Sequence, residues 1–132
     1  MANLLEVMTA RLASMDEQAR KKLIRTMKEA DLRDLHIKPR AKALGWLLYW
    51  TWNSRNSPAG FPDIILLHPI TGAHVVRELK MYGKKPRPDQ QAWLDAYALA
   101  GVDAGVWTPE HLFNGEIDRI MTEGARRQPH GG

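Results

Sequence analysis

The clearest pattern of apolar and polar positions lies at residues 60–80 (GFPDIILLHPITGAHVVRELK), where two aliphatic, β-branched runs flank a turn containing Pro and Gly. Such a pair reads as a β-hairpin. A four-residue loop over 69–72 sets His68 against Ala73, and the same register carries Asp63 opposite Glu78. Directly opposed residues on antiparallel strands have Cβ atoms about 4.5–5.5 Å apart. That is close enough for two carboxylates to share one divalent cation. Side chains alternate along a strand, so Lys80 joins Glu78 on one face. Ile65, Leu67 and Val76 fall on one face and Ile64, Leu66, Val75 and Leu79 on the other. Apolar residues on both faces predict central strands covered on both sides. Charged groups facing into a covered sheet are costly unless a metal or ligand compensates them.

Helical periodicity dominates the flanks. Residues 3–13 (NLLEVMTARLA) and 15–35 (MDEQARKKLIRTMKEADLRDL) combine strong helix formers with apolar residues at helical spacing. Ser14 followed by Glu17 fits a capping box and predicts a helix start. Leu23, Met27 and Leu35 give only a broken stripe. These are amphipathic helices packed on the domain or on a second subunit; a DNA-contacting arm of Arg20, Lys21, Lys22 and Arg25 is the alternative. Pro39 predicts a further helix running to Gly45. Residues 46–52 (WLLYWTW) read as a strand, and 53–60 (NSRNSPAG) as a polar loop.

After the hairpin comes a basic loop, 81–87 (MYGKKPR). Pro88 suits the first turn of a helix through Ala100, ended by Gly101. On it Gln90, Trp93, Leu94 and Tyr97 share one face, with Trp93 expected as a core anchor. Residues 104–107 predict a last strand, a helix restarts at Thr108-Pro109-Glu110, and another covers residues 116–121. A tail from Gly124 is expected to be disordered. The order predicts an α/β fold, a mixed central sheet flanked by helices.

At 132 residues the chain is long enough for one core. Its 19 Lys and Arg against 15 Asp and Glu give a net charge of +4, compatible with a polyanionic partner without requiring one. The absence of cysteine excludes disulfides and thiolate metal sites. With no apolar run of about 18 residues and no secretory pattern, no membrane partner is expected and a cytoplasmic location is.

A hard cation such as Mg²⁺ takes oxygen ligands, one or two of them carboxylates. Asp63 and Glu78 supply two, and the carbonyl of Leu79 is a plausible third. Lys80 suits holding or deprotonating an attacking water, or stabilising negative charge as it develops. An ion pair on the sheet surface accounts for the same letters, so the pattern alone leaves both readings open. His68 and His74 have no paired ligand spacing and read as structural; Trp46, Trp50 and Trp52 read as core and interface.

Gly60-Phe61-Pro62-Asp63, Glu78-Leu79-Lys80 and Gln90-x-x-Trp93, in that order, resemble the VRR-NUC (virus-type replication-repair nuclease) domain of the PD-(D/E)XK nuclease superfamily. The resemblance runs from Lys42-Ala43-Leu44-Gly45-Trp46 through Ser54-Arg55-Asn56-Ser57 to Gly101 and Val106-Trp107, and is strongest to stand-alone bacteriophage versions. It implies a Mg²⁺- or Mn²⁺-dependent endonuclease cutting DNA with little sequence specificity, acting on branched, junction or flap substrates. Asp63 and Glu78 are then metal ligands with the Leu79 carbonyl, Lys80 the catalytic lysine, and Gln90 a glutamine directed at the site. A helix-borne glutamate commonly completes such sites; Glu29 is the candidate, with Asp34 behind it. Phosphate contacts are expected from Arg55, Lys84, Lys85 and Arg87. The division implied is a helical extension over 1–37 for dimerisation or DNA contact, a nuclease domain over 38–123 and a flexible tail over 124–132. Two positions depart from the family pattern. Lys85-Pro86-Arg87-Pro88 stands where a Ser or Thr usually caps the helix, and Trp50 stands where a histidine is frequent.

Overall fold

The computed structural model describes residues 2–51 and 58–128. A four-stranded sheet in the order β1-β2-β3-β4 is built from β1 (Leu47–Trp50), β2 (Ile64–Leu67), β3 (His74–Leu79) and β4 (Asp103–Trp107). The first three strands are antiparallel neighbours and β4 runs parallel to β3, as the strand–helix–strand connection requires. The hairpin register is the one the turn length dictates. Ile64 pairs with Arg77 and Leu67 with His74, and the His68 N–H donates to the Ala73 carbonyl at 2.8 Å.

Helices α1 (Leu4–Ser14) and α2 (Glu17–Thr26) precede the sheet. The cap of α2 is Asp16, whose side chain accepts from the Ala19 N–H at 2.7 Å, and not Ser14, whose hydroxyl donates to the Arg11 carbonyl. The helix expected over 15–35 is broken at Met27, where the backbone turns extended (ψ 128) and the side chain drops into the core. Chain direction changes there because burying Met27 outweighs one more turn of an exposed, charged helix.

The helical backbone resumes as α3 (Glu29–Asp31), passes through a π-helical segment (Leu32–Ile37) and ends as α4 (Lys38–Leu44). Pro39 therefore lies inside a continuous helical run instead of opening a new one. The wider π turn delivers its ring, which has no N–H to give, where an α-helical bond would otherwise be lost. Gly45, at φ 81, closes the run.

Helices α4, α6 (Pro109–Phe113) and α7 (Glu116–Arg126) cover one sheet face. The core between them includes Leu32, Ile37, Ile64, Leu66, Leu79, Trp107, Ile117 and Met121, all at most 2% exposed. Met27 and Leu12 pack on the same cluster, so the N-terminal helices share this core. Trp46 belongs to it too, its indole N–H donating to the Met121 carbonyl. Buried His68 bridges Leu44 and the backbone of the hairpin turn.

Helix α7 runs past the position where a disordered tail is expected. Gly124 sits against Trp46, whose ring would lie 2.7 Å from any Cβ there, and its carbonyl accepts from Thr71 Oγ1.

Among the described residues the other face is covered only by α5 (Pro88–Leu99), which lies over β3 and β4. β3 is therefore buried on both faces, as expected, but β2 is not. Leu47, Tyr49 and Leu67 line up on the uncovered side with 58%, 56% and 43% exposure. One helix is too narrow to shield four strands.

Candidate active site

Asp63 immediately precedes β2 and Lys80 immediately follows β3, so both stand at one end of the sheet. Asp63 is held at three points. Its carbonyl accepts from the Thr51 N–H at 2.9 Å, its carboxylate Oδ2 accepts from the Leu79 N–H at 2.9 Å, and Thr51 Oγ1 donates to the adjacent Pro62 carbonyl. In a strand a residue's N–H and C=O point to the same side. The Leu79 carbonyl is thus directed to the edge where Asp63 sits. The Lys80 N–H continues the ladder to the Trp107 carbonyl at 3.1 Å, which keeps its side chain on the Glu78 face.

Glu78 is 2% exposed. One carboxylate oxygen, Oε1, accepts from Gln90 Nε2 at 3.2 Å; the other, Oε2, is buried and has no hydrogen-bond partner. Burial, then the neighbouring Asp63 carboxyl, push Glu78 up to about 9, against the pull of Lys80. Glu78 therefore keeps its proton at neutral pH unless a cation takes its place.

Gln90 is buried at the start of α5 and does two things. Its amide N–H₂ holds Glu78, and its Oε1 accepts from the Arg87 N–H at 2.9 Å, capping the helix from its third position. This is the reciprocal half of a capping box: it satisfies the Arg87 N–H, not the first-turn N–H from which a Ser or Thr cap would accept. The Gly60-Phe61-Pro62 approach is equally tight. Gly60 has φ 81, and a Cβ there would meet the Asp89 carbonyl oxygen at 2.5 Å. Thr51, Gly60, Asp63, Arg87 and Gln90 thereby enclose a cleft of about 240 Å³.

Trp93 is only half-buried. It packs edge-on against Phe61 and donates its indole N–H to the Ala59 carbonyl, clamping the loop before Asp63. Leu94 is the core anchor of this helix. Lys84, Lys85 and Arg87 are exposed; Arg87 lines the cleft and pairs with Asp89 at 3.2 Å. Arg55 and Trp52 lie outside the described residues.

Glu29 stands near enough to feel the charges of Asp63 and Lys80. The residue is exposed, but its carboxyl is partly desolvated; that burial and the charge of Asp63 raise it, while Lys80 and a hydrogen bond from the Met81 backbone pull it down. Asp34 does not face the site: it pairs with Arg33 at 2.8 Å and Lys38 at 3.2 Å. Arg33 went unnoticed in the sequence. Held charged first by Asp34, it also lies near enough to feel Asp63. Thr51 was likewise missed; no local signal marks a threonine whose partners are 11 and 12 residues away. Trp50 carries the Lys38 ammonium 3.6 Å from its ring centroid. Among the described residues no three His, Cys, Asp or Glu side chains stand close enough to hold a metal by themselves. Two carboxylates and a backbone carbonyl make an all-oxygen donor set, and the unpartnered Oε2 of Glu78 is its open valence. That set fits a hard divalent ion, with water and phosphate oxygens completing the shell.

A sequence profile described as the VRR-NUC domain matches residues 7–109. The chain belongs to the VRR-NUC family. This is a nuclease-type domain family. A solved structure described as a VRR_NUC domain has the same fold, with a TM-score of 0.57 at 23% identity, covering 70% of this chain and 92% of that one. The search of curated proteins finds no match. The VRR-NUC match begins within α1, so the helices ahead of the sheet lie inside the matched span.

Proposed function

We propose that this VRR-NUC chain is a Mg²⁺- or Mn²⁺-dependent DNA endonuclease selective for branched DNA such as flaps and four-way junctions, working in the cytoplasm of a bacterial or phage-infected cell. The observation that carries the reading is Glu78, a buried carboxyl beside Asp63 with one oxygen, Oε2, left without a hydrogen-bond partner. An acid left in that state is costly, and a cation replacing the Glu78 proton satisfies it.

Asp63, Glu78 and the Leu79 carbonyl would hold the ion, with Glu29 as the further candidate carboxylate. When bound, a divalent ion lowers the pKa of a coordinated water and neutralises charge on the scissile phosphate. Lys80, on the Glu78 face, would hold an attacking water or stabilise the phosphate as charge builds. Gln90 fixes the Glu78 rotamer so that one oxygen stays available. Lys84, Lys85 and Arg87 position the backbone of the nucleic acid, and contacts of that kind carry no base information. Cutting a four-way junction requires two sites on strands of opposite polarity, so the reading includes a homodimer for that substrate.

The test is cleavage of duplex, flap and junction DNA with Mg²⁺ or Mn²⁺ by the wild type, Asp63→Ala and Lys80→Ala. Metal-dependent nicking lost in both variants is the expected result. Cleavage surviving both, or none of any substrate, would sink the assignment and leave a non-cleaving DNA-binding module.

A further inference from the structure

We propose that Tyr82, with Lys21 and Arg25, forms a subsite for an unpaired nucleotide beside the scissile position; this rests on the nuclease reading above. Tyr82 is 47% exposed and stands two residues beyond Lys80. Two residues span at most about 7 Å, so the Tyr82 backbone stands next to the site while its ring lines a separate cleft against α2.

The loop presents Tyr82 in a defined way. The Lys84 N–H donates to the Met81 carbonyl at 3.1 Å, and Gly83, at φ 76, takes the third position of the turn. That combination is a type II turn with the tyrosine at its first corner. A hydrogen-bonded turn holds an aromatic ring outward at less entropic cost than a loose loop does.

Opposite Tyr82 is α2. Lys21, Ile24 and Arg25 on one side, Tyr82 and Glu110 on the other, line a cleft of about 280 Å³. That is close to the lower end of the range for small-molecule sites, roughly 300 Å³. Lys21 and Arg25 are one helical turn apart and form the basic wall. Ile24 supplies an apolar floor between them, and Glu110 offers an acceptor to a base edge while disfavouring a second phosphate.

An aromatic ring, an apolar floor and a single basic wall fit one base and one phosphate. Bases inside a duplex are already stacked on each other, so only an unpaired nucleotide presents a free face to Tyr82. The subsite thus selects DNA with a single-stranded arm or a frayed junction. It sits across Met81 from the metal-binding carboxylates, outside the cleft that Gln90 lines.

The experiment measures binding of fluorescein-labelled DNA to the full chain in an Asp63→Ala background, comparing a blunt duplex with the same duplex bearing a single-stranded tail. Tyr82→Ala should weaken tailed-DNA binding by roughly 5- to 150-fold, with Tyr82→Trp restoring it and blunt-duplex binding unchanged. Arg25→Gln should reduce the salt dependence by about one phosphate contact. Unchanged melting temperatures confirm that the exposed positions do not affect folding. Equal losses on both DNAs, no loss on either, or no binding of tailed DNA by the parent overturns the subsite. Metal-dependent cleavage by the protein with Asp63 intact reports separately on the nuclease reading.

Discussion

Gln90 Nε2 donates to Glu78 Oε1 across 3.2 Å, linking the first turn of α5 to the end of β3. Because the same side chain caps its own helix through Arg87, one residue positions both a wall of the cleft and its most buried acid. Gln90→Ala removes both bonds. Stability should fall by about 1–2 kcal/mol, read by urea unfolding. Cleavage should slow by a larger factor than that modest loss explains, since Glu78 loses its fixed rotamer. Wild-type turnover in the folded variant would refute the positioning role.

The Glu78 proton ties stability and metal binding to pH. Its folded value, about 9, lies above the ordinary 4.5. The native state therefore binds more protons than the unfolded one between those limits. The resulting stability is complete below about pH 4.5 and is lost as pH rises toward 9. Metal-free protein should melt at a falling temperature across this window, and added Mg²⁺ or Mn²⁺ should reverse the fall. Cation affinity should rise with pH, because binding expels the proton. Glu78→Gln should flatten the melting profile; an unchanged slope in that variant would show that another group is responsible.

His36 acts in the opposite sense. Burial first, then Arg40, depress it from 6.5 to about 4. The unfolded state takes up that proton sooner, so stability is lost as pH falls from about 6.5 to 4. His36→Gln should make the melting temperature less sensitive to acid over that interval. Equal acid sensitivity in variant and wild type would exclude the role.

Gly60→Ala tests the loop before Asp63. The substitution places a Cβ within 2.5 Å of the Asp89 carbonyl oxygen at a φ of 81. Strain of about 1–3 kcal/mol is expected, relieved by moving the loop away from α5. Activity should drop strongly while the far end of the sheet stays protected in hydrogen exchange. Full activity would mean that Asp63 tolerates the shift.

Buried Arg40 is ion-paired with Asp118 and also donates to the His36 carbonyl. Because Asp118 is 56% exposed, solvent screens the pair. Asp118→Asn should cost about 1 kcal/mol, measured by chemical unfolding, and leave cleavage untouched.

The sequence by itself determined what is local. The turn over 69–72 sets the hairpin register, and register alone places Asp63 opposite Glu78 with Lys80 on the same face. Pro88 and Gly101 bracket α5, and the spacing of Gln90 from Pro88 brings it to the first turn. Each depends on chain connectivity over a few residues, which period and turn chemistry describe well.

Tertiary structure decided the rest. Whether α2 continues depends on the core receiving Met27. Whether Pro39 starts a helix depends on the π turn before it. Trp93 became a loop clamp because Leu94 fills the sheet contact, and Gly124 stayed helical because Trp46 closes over it. The arrival of Glu29 and Arg33 near Asp63 and the cleft between α2 and Tyr82 join segments 30 or more residues apart. Such contacts arise from packing free energies summed over the whole core, which no short window of sequence contains.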